Sequence, residues 1–543
     1  MNPSITLAAS APNSSTMWIS IPMLICFFAL MIGVGLACQK HSKSVDSFVL
    51  GGRAVGPWLT AFAFGTSYFS AVIFVGYAGQ FGWNFGLSST WIGLGNAFIG
   101  SLLAWSVLGR RTRVMTQHLG SKTMPDFFEK RYDSKKLKII ASVIVFIFLI
   151  PYTASLYNGL SSLFNNVFSI PYWAVVTIMA VLTGVYVIFG GYMATAINDF
   201  IQGIIMLVGI ITVIASVLAQ NGGFSAAVDS LINSPFAGAE YASIFGPNPI
   251  FLFFVVVLTS LGTWGLPQMV GKFYSIKDEG AIKKGTIIST IFAIVVAGGC
   301  YFLGGFGRLY FDKMVAAGYH DPLTGKTLFD KVVPTMLAEL PAFIVSLIIV
   351  LVLAASMSTL SSLVLTSSST LTLDVINPML NKKKNISEKK SVFIMRLFIV
   401  FFILISAVIA ILKDSIWKDS VFIAQMMGVS WGALAGAFLA PFLYGLYWKK
   451  TTRTAVVASF IFGTGLEIVQ LLISIGLFSV KGIPVIGFIF TNSLYSGVFA
   501  MVGGLIIVPI VSLFTQKSKP ESVDEKFSCY DTEVVTTKKD SIG

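Results

Sequence analysis

The chain has 543 residues, of which 55% are hydrophobic and only 11% charged, with a mean hydropathy of +0.83. That leaves too little polar surface to coat a soluble globule of this size, so the bilayer is the expected solvent. The formal charge of +13 does not point to nucleic acid, because the basic residues cluster at the ends of apolar runs, where they meet anionic lipid headgroups. Backbone polarity in hydrocarbon then restricts the fold to an all-α membrane bundle.

Residues 1 to 16 carry no Lys or Arg, so the first apolar run lacks the basic leader of a signal peptide and reads as a retained helix. Runs of about 20 apolar residues, enough to cross roughly 30 Å of hydrocarbon, lie near 17–37, 56–79, 84–108, 138–163, 171–189, 199–219, 249–270, 286–307, 340–373, 393–412, 421–446, 453–477 and 486–515, which predicts thirteen spans. Loops 38–55, 109–137, 271–285, 374–392 and 447–452 are basic, whereas 80–83, 164–170 and 220–248 contain no Lys or Arg. Basic loops stay inside. The segment from Gly109 to Lys138, with Arg110, Arg111, Arg113 and six further cations, is the clearest case, and Lys382 to Lys384 with Lys389 and Lys390 mark another. An odd number of spans then places the N-terminus outside a plasma membrane and the polar tail from Gln516 in the cytoplasm, where disorder is expected. The balanced loop Arg308 to Glu339 falls outside, with a turn at Asp321-Pro322 and Gly325, over an outer vestibule. The predicted organisation is a first helix and loop (1–55), a ten-helix core (56–446), two peripheral helices (447–515) and the tail (516–543).

Enzyme and metal signatures are lacking in this pattern. His41, His118 and His320 lie far apart in loops, and Cys26, Cys38, Cys300 and Cys529 are scattered, with no metal-ligand or disulfide spacing. No cofactor is expected. Gly93, Gly95 and Gly100 sit inside an apolar run with no strand before them, so helix packing explains them better than phosphate binding.

Transport has its own sequence signals, the first being Gly- and Pro-interrupted spans at corresponding places in two halves of a bundle. The second run carries Gly56-Pro57, Gly65, Thr66, Ser67 and Ser70, and the seventh carries Thr259, Ser260, Gly262, Thr263, Gly265 and Pro267. Their starting points are five spans apart, as two inverted repeats of five would require. In the ninth run Ala355, Ser358 and Thr359 share one helical face, so a carbonyl and two hydroxyls can join carbonyls freed by a break in the second run around a hard cation. Asp199, at the inner end of the sixth run, has two readings: a waypoint for a departing cation, or a helix N-cap. Glu467 lies outside the ten-helix core and reads as a structural or oligomer contact.

Taken together, Leu50-Gly51-Gly52-Arg53 with Gly56-Pro57, Gly190-Gly191 with Asn198-Asp199 and Gln202, and Ala354-Ala355-Ser356-Met357-Ser358-Thr359 resemble the sodium:solute symporter family over nearly the whole chain. The resemblance implies a leucine-transporter-like core of five plus five helices within thirteen. It implies sodium as the coupling ion, held by the carbonyls of Thr66, Phe69 and Ala355 and the hydroxyls of Ser358 and Thr359, with Asp199 on the inward sodium route and, in some members, in a second sodium site. Tyr68 stands where proline carriers of the family have an acidic residue, and Val72, Thr259 and Thr263 stand where they use aromatic residues, although Tyr152 is retained. Gly265-Leu266-Pro267 to Asp278 and Ser67 to Ala71 look closer to the pantothenate and monocarboxylate branches. A small carboxylate is therefore the expected solute, lined by Ser70, Val72, Tyr152, Tyr157, Thr259, Thr263 and Trp264, with helix packing as the other account of each. The implied mechanism is alternating access. Proline, another amino acid or a sugar remains an alternative solute, protons remain an alternative coupling ion, and a membrane sensor and a channel are the rivals from other classes.

Overall fold

The structure, a computed structural model, describes residues 14–168, 170–381, 386–416, 423–477, 479–480 and 483–531. Lys382 to Lys384 and the end of the tail lie outside the described residues. Helix dominates throughout: apart from two isolated bridges, Val55 with Ile276 and His320 with Thr327, no β-pairing occurs among the described residues.

Among the described residues, ten helices are long and apolar enough to cross a membrane, or eleven when Pro249–Gly265 and Pro267–Ser275, which meet at 46°, count as one bent span. This is fewer than the thirteen apolar runs, and the reason is where the chain breaks. Val72–His118 and Tyr172–Gln220 are 47 and 49 residues long, more than twice the length that one crossing needs. The longer stretch is interrupted at Gly191 (φ 57, ψ −149), a left-handed conformation that favours glycine. The other turns at Gly86 (φ 61). Each stretch therefore holds parts of two runs, while the second run is itself divided into Pro57–Tyr68 and a half-helix that starts beyond Ser70.

The two interrupted spans share one backbone geometry. Helix Pro57–Tyr68 ends at Phe69 (φ −83, ψ 121), and the helical segment Gly262–Gly265 ends at Leu266 (φ −85, ψ 120). In both places the chain leaves helix through an extended residue and then resumes as helix, after Ser70 in the first case and in the second with Pro267 at the first helical position, where its fixed φ and missing N–H cost nothing. Close backbone approach holds the helices around these breaks together. A Cβ on Gly82 would lie 1.9 Å from the Gly304 carbonyl oxygen, and one on Gly304 would lie 2.2 Å from that of Ala78, so only glycine lets these backbones touch.

Charge collects at one end of the bundle. Lys138 contacts Asp126 at 2.9 Å, Glu129 at 2.8 Å and Asp374 at 3.6 Å, and Lys122 pairs with Asp46 at 2.9 Å. Thr123 caps the short helix Met124–Tyr132 by accepting from the Asp126 N–H. The expected disorder of the tail does not extend to its first half. Lys526 Nζ reaches Asp133 at 2.5 Å, Phe527 is buried, and the Arg111 guanidinium lies between the rings of Tyr447 and Tyr530 at 4.1 and 4.5 Å. Hydrophobicity alone underrates this segment, because aromatic and ionic contacts to the basic loop order it.

At the opposite end the loops fold over the helices: Arg308 donates to the Trp83 carbonyl at 2.7 Å and stacks on Tyr241 at 4.1 Å, while Phe236 stacks on Phe311 at 3.9 Å. Glu467 is fully buried within the chain, accepting from Ser496 Oγ at 2.8 Å and lying against Gly432, so it joins the last three long helices to one another.

Candidate functional site

Once the chain leaves helix geometry at Phe69 and Ser70, the carbonyls at the end of Pro57–Tyr68 lose the N–H groups that would bond them one turn on. They turn toward the uninterrupted helix Ala342–Thr370. Ser358 Oγ donates to the Thr66 carbonyl at 3.2 Å and to that of Ala355 at 2.9 Å. Thr359 Oγ1 lies 3.0 Å from the Thr66 carbonyl, 3.2 Å from that of Phe69 and 3.2 Å from that of Ala355. The five oxygens expected of a cation site thus meet at one point, and all five residues are buried. The cluster carries no formal charge. Its chemistry is that of hard, neutral oxygen donors, which suits a cation without a strong preference for nitrogen or sulfur.

Asp199 stands apart from this cluster. Its carboxylate is fully buried, and its Oδ2 lies 3.6 Å from Lys272 Nζ. Lys272 comes from Pro267–Ser275, the half-helix that follows the second break. Its ammonium also donates to Ser362 Oγ at 3.1 Å and lies 5.3 Å from the Tyr192 ring centroid. Ser362 in turn contacts Ser67 Oγ at 2.8 Å. Neither Asp199 oxygen accepts a hydrogen bond from a described group. The N-cap reading does not fit, because Asp199 lies within continuous helix beyond the Gly191 break. Sequence reasoning missed Lys272 because it reads like the other basic residues near a loop; its place five residues after Pro267 was the available signal.

The seven residues proposed to line a solute site divide into groups. The Tyr152 hydroxyl faces Ser70 and Trp431, and the Trp431 ring lies 6.0 Å from that of Tyr152 and 5.6 Å from that of Tyr68. The hydroxyls of Tyr68, Ser70, Tyr152 and Tyr157 and the Trp431 indole N–H are buried without a hydrogen bond of normal length. Val72 is buried in the half-helix after the first break. Thr263 lines a cavity of about 20 Å³ with Phe64, Tyr68, Asn96, Ser289 and Phe292. The side chains of Thr259 and Trp264 are engaged elsewhere, donating to the carbonyls of Val255 at 2.9 Å and Ile99 at 3.0 Å, so the packing account describes them better. Trp431 was not foreseen, since one aromatic residue in an apolar run carries no signal until the fold sets it against Tyr68 and Tyr152. A second cavity, of about 50 Å³, runs from Gln268, Lys272 and Ser362 to Lys122 and Thr123 at the basic end, and has room for a few waters.

Two helices broken alike and an unbroken helix facing the first break define a membrane carrier of leucine-transporter-like fold. The whole arrangement is similar to that of a Na+-coupled sialic acid symporter in a substrate-bound outward-open state, with a TM-score of 0.73 at 17% identity over 91% of this chain and 97% of that one. It is also similar to a manganese transporter of Eremococcus coleocola, with a TM-score of 0.50 at 14% identity over 85% and 95%. In sequence, residues 48–463 match the model of the sodium:solute symporter family, and the chain belongs to that family. A sodium/proline symporter of Staphylococcus aureus strain JH9 is 28% identical over 511 residues, 92% of this chain and 93% of that relative. The protein is a sodium-coupled solute symporter and not an enzyme.

Proposed function

We propose that the chain imports a small organic carboxylate together with sodium across a plasma membrane by alternating access. The observation that carries this reading is the meeting of the Thr66, Phe69 and Ala355 carbonyls with the Ser358 and Thr359 hydroxyls. A sodium ion at that point ties the first broken helix to the unbroken one. It thereby fixes the start of the next half-helix, at Ser70 and Val72, beside Tyr152 and Trp431. Helix N-termini attract anions, and the hydroxyl and indole N–H groups gathered there suit a carboxylate without a basic partner. With a local cavity of only about 20 Å³, solute entry requires the helices to move apart, as alternating access provides. Positive-inside orientation puts the basic end, with Arg110 to Lys138, in the cytoplasm, so the 50 Å³ cavity beneath Lys272 lies on the inward route.

A second solute class has an observation in its favour: the sodium/proline symporters at 28% identity support an amino acid. The experiment is uptake of labelled acetate, pyruvate, pantothenate, proline and a sugar into proteoliposomes, with and without an inward sodium gradient. Sodium-driven, saturable uptake of one of the carboxylates is the expected result. Proline uptake would replace the carboxylate reading, and uptake indifferent to sodium would overturn the coupling.

A further inference from the structure

Asp199 and Lys272 come from two other helices, Tyr172–Gln220 and Pro267–Ser275, and Lys272 connects to the five-oxygen cluster's own helices through Ser362 and Ser67. Ser362, which receives the Lys272 ammonium at 3.1 Å, follows Ser358 by four residues and Thr359 by three on one helical face. Ser67, which contacts Ser362 at 2.8 Å, follows Thr66 directly. A cation moving inward from the cluster meets this pair next, and beyond it the cavity bounded by Gln268, Tyr192 and Lys272. A buried carboxylate has to be neutralised or paired. Here the partner at 3.6 Å is the Lys272 ammonium, itself almost completely buried, and no described group offers Asp199 a hydrogen bond.

We propose that the Lys272 ammonium is a tethered cation that holds the Asp199 carboxylate in place of a second sodium ion, so that one sodium ion binds per chain and accompanies each solute. A sodium ion at Asp199 would sit within a few ångströms of the ammonium, and the repulsion between like charges in a buried site excludes it. The Lys272 stem is anchored covalently in the half-helix after the second break, so the charge cannot leave with the solute. It therefore moves no net charge across the membrane. For a monocarboxylate solute, one sodium per solute makes transport electroneutral; for a zwitterion such as proline, the same ratio moves one positive charge.

The proposal rests on sodium binding at the five-oxygen cluster, and the test separates the two. Radioactive sodium alone is bound to the purified full-length protein and counted at saturation. Wild type is expected to bind one ion per chain with hyperbolic dependence, and Ser358→Ala with Thr359→Ala to bind none. Lys272→Gln is expected to bind two, because Asp199 is then released as a ligand, and Asp199→Asn combined with Lys272→Gln to return the count to one. Two ions in wild type overturn the proposal while leaving sodium coupling intact, as does one ion in a folded Lys272→Gln. Where Lys272→Gln alone does not fold, Asp199→Asn decides: retained binding of one ion supports the proposal and loss of binding overturns it. Sodium binding that survives the Ser358 and Thr359 changes removes the underlying site instead.

Discussion

The two broken helices have nearly the same backbone and opposite chemistry. At Phe69 and at Leu266 the φ and ψ angles agree within two degrees, so each break frees carbonyls and starts a new half-helix in the middle of the bundle. The first break is surrounded by neutral oxygens from Thr66, Phe69, Ala355, Ser358 and Thr359. The second is followed by a half-helix whose side chains include the buried Lys272. Backbone geometry makes a place where charge can be handled in a dry interior, and the side chains decide whether the charge comes and goes or is built in. A neutral cluster costs little when the ion leaves, because its hydroxyls bond back to the carbonyls at 2.9 to 3.2 Å. A charged pair has no such fallback, since removing either partner strands the other.

The largest expected effect breaks the neutral side of that comparison. Replacing Ser358 and Thr359 together by Ala removes two ligands, each worth about 1.5–3 kcal/mol as a hydrogen-bonding group toward a charge. Half-saturating sodium for uptake should rise by at least about a hundredfold, given that every 1.4 kcal/mol is about tenfold. Ser361→Ala is the control, because Ser361 Oγ bonds back to the Ser358 carbonyl at 2.9 Å and belongs to no part of the cluster. An equal loss in both would show that the helix, not the oxygens, was damaged.

Charge at the basic end provides the next contrast, because there several ions share one network. Burial pushes the Asp126 carboxyl up, but Lys138 and Lys130 pull it down by more, leaving it below the usual carboxylate range. A depressed carboxylate stabilises the fold above its unfolded pKa and loses that contribution as pH falls through its folded one. Asp126→Asn should therefore cost about 3 kcal/mol at neutral pH, read as a lower melting temperature in detergent. The gap from wild type should stay constant down to about pH 4 and close below it. A gap that stayed open in acid would mean that Asp126 acts through shape and not charge.

Much of this was legible in the sequence because its causes are local. Gly, Pro and Thr/Ser at the two interrupted runs mark breaks, the 355, 358, 359 spacing puts three oxygens on one face, and the basic segment from Arg110 to Lys138 marks one end. Less legible was anything decided by a contact across the bundle. Lys272 becomes an intramembrane partner only when the second half-helix turns it toward Asp199, and Trp431 joins Tyr68 and Tyr152 only when Ile423–Tyr447 packs against both breaks. Thr259 and Trp264 show two further contacts: their side chains donate to the carbonyls of Val255, one turn back, and Ile99, across the bundle. The count of long helices is lower than the count of apolar runs because Val72–His118 and Tyr172–Gln220 each hold parts of two runs and turn within, at Gly86 and Gly191.

Two smaller effects compare the breaks directly. Gly65 and Gly265 each stand shortly before a break, yet their surroundings differ. A Cβ on Gly265 would meet the backbone of Ala435 at 2.7 Å and the Leu439 nitrogen at 3.0 Å, whereas one on Gly65 would meet only the Phe292 ring, at 2.5 Å. A ring can rotate away and a helix backbone cannot. Gly265→Ala should cost about 2 kcal/mol through overpacking, and Gly65→Ala less, with both read as melting temperatures. Equal costs would mean that Phe292 is as fixed as backbone.

Pro267→Ala should have the smallest effect. Proline at the first helical position limits the unfolded chain more than the folded one, so its loss should cost no more than about 1 kcal/mol. The backbone at Leu266 is held in any case by its packing, with the side chain fully buried, and at Phe69 an equivalent break persists without proline at the restart. The Lys272 ammonium should keep its place beside Asp199, and sodium-driven uptake should stay within about twofold of wild type. A large loss of uptake with unchanged melting temperature would show that the second break, unlike the first, depends on proline to stay open during transport, and would limit the likeness of the two breaks to the resting state.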